Sequence, residues 1–172
     1  MKKKTIRTDL VKAWIEANIL IEKIDKLHNF FRIHCHEGGA IPLANVIRRQ
    51  YVKPVFEQHY TELQDKFHGK SVSLIIDETT DKKARSVVNT LFSYQGCTKL
   101  VSVDFLSQVN SVTIGQLVLQ LLVKWKISFN QPYFIAMDLA AYMKKSFHEI
   151  LHSAMLQLKY NLCSANILYL IR

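Results

Sequence analysis

"SLIIDETTDKKARSV", residues 73–87, is the stretch on which the fold turns. Leu74, Ile75 and Ile76 form a short apolar run bounded by polar residues, the signature of a buried strand. The run drives straight into Asp77, Glu78 and Asp81, with Thr79 and Thr80 between them and Lys82, Lys83 and Arg85 behind. Two readings follow. Either an ordinary strand is followed by a polar turn, or the strand exists to hold a carboxylate rigidly at the edge of a site.

Downstream of this stretch the pattern is that of a meander. Residues 71–77, 86–94 and 99–107 are β-branched and aromatic runs joined by short polar turns, of which "QGCTK", residues 95–99, is the clearest hairpin signal. Residues 112–126 predict a helix with Ile114, Leu117, Val118, Leu121, Leu122 and Trp125 on one face. "PYFIAMD", residues 132–138, is short, apolar and opened by Pro132, and predicts a strand ending at Asp138. Residues 139–157 predict a second helix with Tyr142, Met143, Phe147, Ile150, Leu151 and Ala154 turned inward. Three antiparallel strands, a helix, and a strand that can lie parallel to the first make the opening of a ribonuclease H-like sheet. In that layout the first and fourth strands are neighbours, and their ends bring Asp77 and Asp138 together.

Upstream, the chain to about residue 67 reads as helical. Leu10, Val11, Trp14 and Ile15 recur at helical spacing behind a cap at Thr8 or Asp9. A second stripe runs through Ile21, Ile24, Leu27, Phe30, Phe31 and Cys35 until Gly38-Gly39 stops it. A third helix can run from Pro54, at a first-turn position, to Lys66. The expected class is therefore α/β, with a helical segment over residues 1–67 and an incomplete ribonuclease H-like mixed sheet with flanking helices over 68–172.

Composition narrows the partners. The 172 residues carry 23 Lys+Arg against 14 Asp+Glu, a net charge of +9. An excess of that size suits a polyanion such as DNA, and it equally suits a merely solubilising surface. Cys35, Cys97 and Cys163 are odd in number and far apart, which points away from a disulfide framework and toward a reducing compartment. No apolar run approaches the roughly 18 residues a membrane span needs, so no membrane partner is expected. The opening "MKKK" lacks an apolar run behind it, so it is not read as a secretory signal, and it offers a weak basic element for nuclear import.

Two carboxylates at adjacent strand ends repel each other unless a cation sits between them, and Mg²⁺ is satisfied by one or two carboxylates with water and substrate phosphates. Asp138 can alternatively cap the helix that follows it. "HCHE", His34 to Glu37, lacks a second ligand pair and reads as a helix end. Cys97 falls in the hairpin turn with Lys99 as its nearest basic neighbour in sequence, and Trp14, Trp125 and Tyr142 lie on apolar faces and read as core.

"SVSLIIDETTDKKARSVVNTLFSY", "PYFIAMDLAAYMKKSFHEIL" and "NLCSANILYL", in that order, resemble the core of hAT-superfamily DNA transposases. The segment from Leu10 to Val52 resembles the C-terminal half of the CGG triplet repeat-binding protein family, itself derived from hAT elements. The resemblance implies that Asp77 and Asp138 are two members of a DDE metal-binding triad, with Mg²⁺ as the cofactor. It also implies a C-x-x-H pair, which reads Cys163-Ser164-Ala165-Asn166 here, with an amide where the family carries the imidazole. The family's third carboxylate is a Glu far downstream, and its preceding zinc finger has no counterpart in the cysteine spacing here. The expectation is a vestigial Asp77–Asp138 pair that holds Mg²⁺ weakly, no enzymatic activity and no small-molecule substrate. The expected partner is DNA in the nucleus, held at its phosphates by Lys82, Lys83, Arg85, Lys144, Lys145, Arg48 and Arg49 in a transcriptional or chromatin role. Because hAT relatives oligomerise, the alternative is a protein-interaction or homo-oligomerisation module without DNA binding, or a decaying transposon remnant.

Overall fold

Residues 73–80 form a strand at the centre of a five-stranded mixed sheet. The computed structural model describes residues 2–35 and 40–162. It divides into two compact units, Met1–Leu63 and Gln64–Arg172.

In the second unit the strands are β1 (Ser73–Thr80), β2 (Ser86–Tyr94), β3 (Cys97–Leu106), β4 (Phe134–Met137) and β5 (Lys159–Leu162), in the spatial order β3-β2-β1-β4-β5. β1 pairs antiparallel with β2 and parallel with β4, so the first and fourth strands are neighbours, as the order of elements predicts. β2 and β3 are joined by Gln95 and Gly96, both at positive φ, the backbone a two-residue hairpin turn demands. Alternation then sorts the faces. Leu74 and Ile76 of β1, Phe92 of β2, and Ile135 and Met137 of β4 are buried, whereas Ser73, Ile75 and Asp77 of β1 are not.

Helix α5 (Ser111–Lys124) covers the buried face with Ile114, Val118, Leu121 and Leu122. Asn110 starts it with a capping box: its side chain accepts from the backbone of Val112 and Thr113, both at 2.9 Å, while Thr113 Oγ1 accepts from the Asn110 backbone. Trp125, just past the helix, stacks edge-on against Phe92 at 5.6 Å, and Phe67 closes the aromatic cluster at 5.7 Å from Phe92. After β4 come α6 (Ala141–Ser146), a π-helical turn (Phe147–Leu151) and the short α7 (His152–Ala154). A side chain at Gly115 would sit 2.8 Å from Ile150, so the two helical layers meet where α5 has no Cβ.

Several boundaries differ from the sequence reading. β1 continues past Asp77 to Thr80, because Glu78, Thr79 and Thr80 pair with Val88, Val87 and Ser86 of β2. Asp77 therefore lies within the strand, not at its end. The helix after β4 begins at Ala141 and not at Leu139, since Asp138 and Ala140 first form a turn; it ends at Ala154, which is exposed where an inward position is expected. β5 is an unanticipated strand of four residues.

In the first unit, α1 spans Lys2–Glu16, so Thr8 and Asp9 are interior to a helix and neither caps it; the basic opening contains no residue that breaks a helix. α2 (Lys23–His34) follows, then α3 (Ala44–Ile47), a π-helical turn (Arg48–Val52) and α4 (Lys53–Phe67) without interruption, the residues of α4 after Leu63 belonging to the second unit. Sequence reasoning starts a helix at Pro54, because proline in a helix interior clashes with the carbonyl four residues earlier. The wide turn over Arg48–Val52 contains that carbonyl, Gln50, and lets the helix run on through the proline. Val11, Trp14, Ile24, Ile41, Ala44, Ile47, Tyr51 and Val55 form this unit's core, with Trp14 Nε1 donating to the Leu20 carbonyl at 3.2 Å. Asp25 Oδ1 accepts from Ala44 N at 2.7 Å and so satisfies an orphan donor at the start of α3. Ile15, Leu27 and Phe30, read from the sequence as core-stripe residues, are exposed instead. Gly38-Gly39 lies outside the described residues.

Candidate functional site

The parallel pairing of β1 with β4 sets Ser73 against Phe134, Leu74 against Ile135 and Ile75 against Ala136. Asp77 is two positions beyond Ile75 and Asp138 two beyond Ala136. Extended beyond its last pair, Ile75 with Ala136, that register would set Asp77 opposite Asp138, one residue past the end of β4. Asp77 is exposed and Asp138 half-buried. β4 stops one residue short of Asp138, whose Oδ1 accepts from Ala140 N at 3.0 Å. The capping alternative thus takes the form of a turn that orients the carboxylate; the residue at the N-cap of α6 is Ala140.

Two tyrosines crowd this end of the sheet. Tyr142 Oη donates to Glu78 Oε2 at 2.8 Å, and Tyr160 Oη donates to the backbone carbonyl of Asp138 at 3.0 Å. Burial raises the Tyr142 phenol well above the ordinary tyrosine range, and the hydrogen bond to Glu78, the Glu78 charge and the Asp138 charge push it the same way. Burial and, after it, the Asp138 charge also raise Tyr160. Both phenols are accordingly neutral donors near carboxylates at physiological pH. Sequence reasoning places Tyr142 on an apolar face and misses its link to Glu78, because that hydrogen bond spans 64 positions and carries no local signal.

The donor set offers a cation few protein ligands. Asp77 and Asp138 would leave most of the octahedral shell of a Mg²⁺ ion to water and phosphate oxygens. One oxygen of Glu78 is already engaged by Tyr142. Among the described residues no group of three or more His, Cys, Asp and Glu side chains is arranged to hold a metal ion. Cys163 and Asn166, at the C-x-x-H position of the resemblance, lie outside the described residues.

The basic positions divide by partner. Lys82 and Lys83 are exposed in the turn between β1 and β2, past Thr80, which itself lies roughly 10 Å beyond Asp77 at the usual strand rise. Arg85 is exposed too, but its Nε and Nη2 donate to Asp81 Oδ2 at 2.9 and 2.7 Å, and its guanidinium lies 4.4 Å over the Phe105 ring. The other Asp81 oxygen accepts from Lys83 N and Arg85 N. Arg85 is therefore a clamp on its own turn before it is a phosphate ligand. Lys144 and Lys145 are exposed on α6, with Lys145 3.9 Å from Glu149. In the first unit Arg48 pairs with Glu22, while Arg49 is exposed beside it. His34 stacks on Phe30 at 4.9 Å, while His36 and Glu37 lie outside the described residues. Cys97 Sγ accepts from Lys66 Nζ at 3.0 Å, so its basic neighbour is Lys66, not Lys99.

Residues 1–54 match the family model of the CGGBP1 helical domain, in agreement with the resemblance carried by Leu10 to Val52. The match spans under a third of the chain. No curated protein matches the chain at a significant level. No helix among the described residues is long and apolar enough to cross a membrane.

Proposed function

We propose that this chain is a DNA-associated nuclear protein of transposon origin. On this reading residues 68–172 are a hAT-type, ribonuclease H-like core without transposase activity of its own. The observation that carries the DNA reading is the match of residues 1–54 to the CGGBP1 helical domain, together with the resemblance of that segment to a family named for binding CGG triplet repeats. The net charge of +9 supports it, as do the exposed Lys82, Lys83, Lys144, Lys145 and Arg49. Binding then rests on phosphate contacts, which fix position without reading sequence, and transcription or chromatin is its setting.

The hAT-type reading of the second unit draws support from the sheet order and from the parallel pairing of β1 with β4, the strands that lead toward Asp77 and Asp138. Phosphodiester cleavage needs cations held by enough ligands in the right geometry. Two carboxylates, one of them bound into a local turn, do not supply that, so Mg²⁺ is held weakly and no strand transfer follows.

Fluorescence anisotropy on duplex DNA tests the binding reading. The expected result is binding at about 50 mM salt that weakens linearly on a log–log plot as salt rises. Absence of binding at that salt would remove the reading. Incubation with a transposon-end oligonucleotide and Mg²⁺ or Mn²⁺ tests the other half: intact substrate is expected, and a nick abolished by Asp77→Ala would overturn the non-catalytic assignment.

A further inference from the structure

Helix α2 is apolar on two sides. Ile24 and the partly buried Phe31 pack with the core of the first unit. On another arc Leu27, Phe30 and Ile33, spaced i, i+3, i+6, are 42%, 55% and 49% exposed. A single exposed apolar side chain is ordinary, but three on one stripe of a 12-residue helix form a patch of the kind that marks an interaction surface. Phe30 at its centre lies beside the Phe31 ring at 6.0 Å and the His34 ring at 4.9 Å.

The charges select the occupant. Lys23 and Lys26, seven and four positions before Phe30, fall on its arc and are exposed. The one acid of the helix, Asp25, is bound to Ala44 N, and Glu22 before it pairs with Arg48. We infer that the Leu27–Phe30–Ile33 stripe docks an amphipathic helix of another protein whose apolar face is flanked by Asp or Glu. A second copy of this chain would bring the lysines of α2 against each other. A nucleic acid would satisfy the lysines and leave the three apolar side chains without a partner. An acid-flanked apolar helix satisfies both, in the manner of helix-in-groove recognition.

The test uses the full chain and two labelled synthetic helical peptides with one Leu/Phe stripe, flanked by Glu in the first and by Lys in the second. Anisotropy is expected to give binding of the Glu peptide at least about tenfold tighter than the Lys peptide, and weakened by salt. Phe30→Ser is expected to cost about tenfold or more, the loss typical of a central aromatic anchor. The exposed pair Lys23→Glu/Lys26→Glu, which leaves the apolar stripe intact, should invert the peptide preference. Circular dichroism checks that each variant keeps its helix content; should Phe30→Ser lose it, the inversion stands as the deciding result. The inference is overturned by equal affinity for the two peptides or by no inversion. It is also overturned by self-association that Phe30→Ser dissolves, or by duplex DNA that binds through Phe30 and displaces the Glu peptide.

Discussion

At Tyr142 burial, and after it two carboxylates, set the behaviour of one phenol. Its folded-state ionisation lies above the ordinary tyrosine value of 10.0, with burial the largest cause and Glu78 next. Stability from this group is complete below that value and is lost as pH rises past it, because the unfolded phenol ionises while the folded one cannot. Thermal unfolding across the alkaline range should therefore show a falling limb that is shallower in Tyr142→Phe; identical limbs would contradict a Tyr142 phenol raised by burial and Glu78. Asp81 has the opposite sign. The Arg85 backbone N–H, and after it the Arg85 side chain, hold its carboxyl below the usual 3.8. Its contribution is present above that value and is lost as pH falls through the depressed one. In Asp81→Asn, amide exchange at Lys83 and Arg85 should accelerate, as their shared acceptor loses its charge. Of this detail the sequence around Asp77 discloses the carboxylates and the lysines. It does not disclose that Arg85 is tied to Asp81 and Phe105, because both a phosphate ligand and a turn clamp read as a basic residue after an acidic one.

Elements whose pattern persists over many residues are the ones the sequence displays. β2 is found at its expected residues, β3 and α5 within two of theirs, since β-branched alternation and a six-residue helical face survive local noise. β5 is four residues long and carries too few positions for a period. α3 and the π-turn behind it escape because Pro54 looks like a start and not like an interior residue. The neighbouring of β1 and β4, the strands that lead toward Asp77 and Asp138, is legible only from the order of elements. Two measurements bear on this scale. Gly115→Ala gains about 1 kcal/mol of helix propensity and forces its Cβ onto Ile150, an overpacking cost of about 1–3 kcal/mol, so a small net loss in urea unfolding is expected. Ile150→Ala in the same chain should make the alanine less costly, and additive effects would contradict the close approach. Asn110→Ala removes the acceptor for two N–H groups at the start of α5 and should cost about 1 kcal/mol in the same assay.

For the whole molecule the governing quantity is the excess of nine positive charges, and what it meets. Phosphate contacts release counterions, so binding to duplex DNA should weaken with salt at a slope of about 0.9 per phosphate neutralised. Lys82 and Lys83 are exposed at the tip of the β1–β2 arm and, unlike Arg85, form no ion pair among the described residues, so a phosphate contact there breaks none. The most direct test is the salt dependence of duplex affinity for the native chain and for Lys82→Ala/Lys83→Ala, measured by anisotropy from about 50 to 200 mM salt. Measurable binding with a steep slope that the double variant reduces by roughly 1 to 2 is predicted. No binding at the lowest salt, or binding indifferent to salt, would contradict the account.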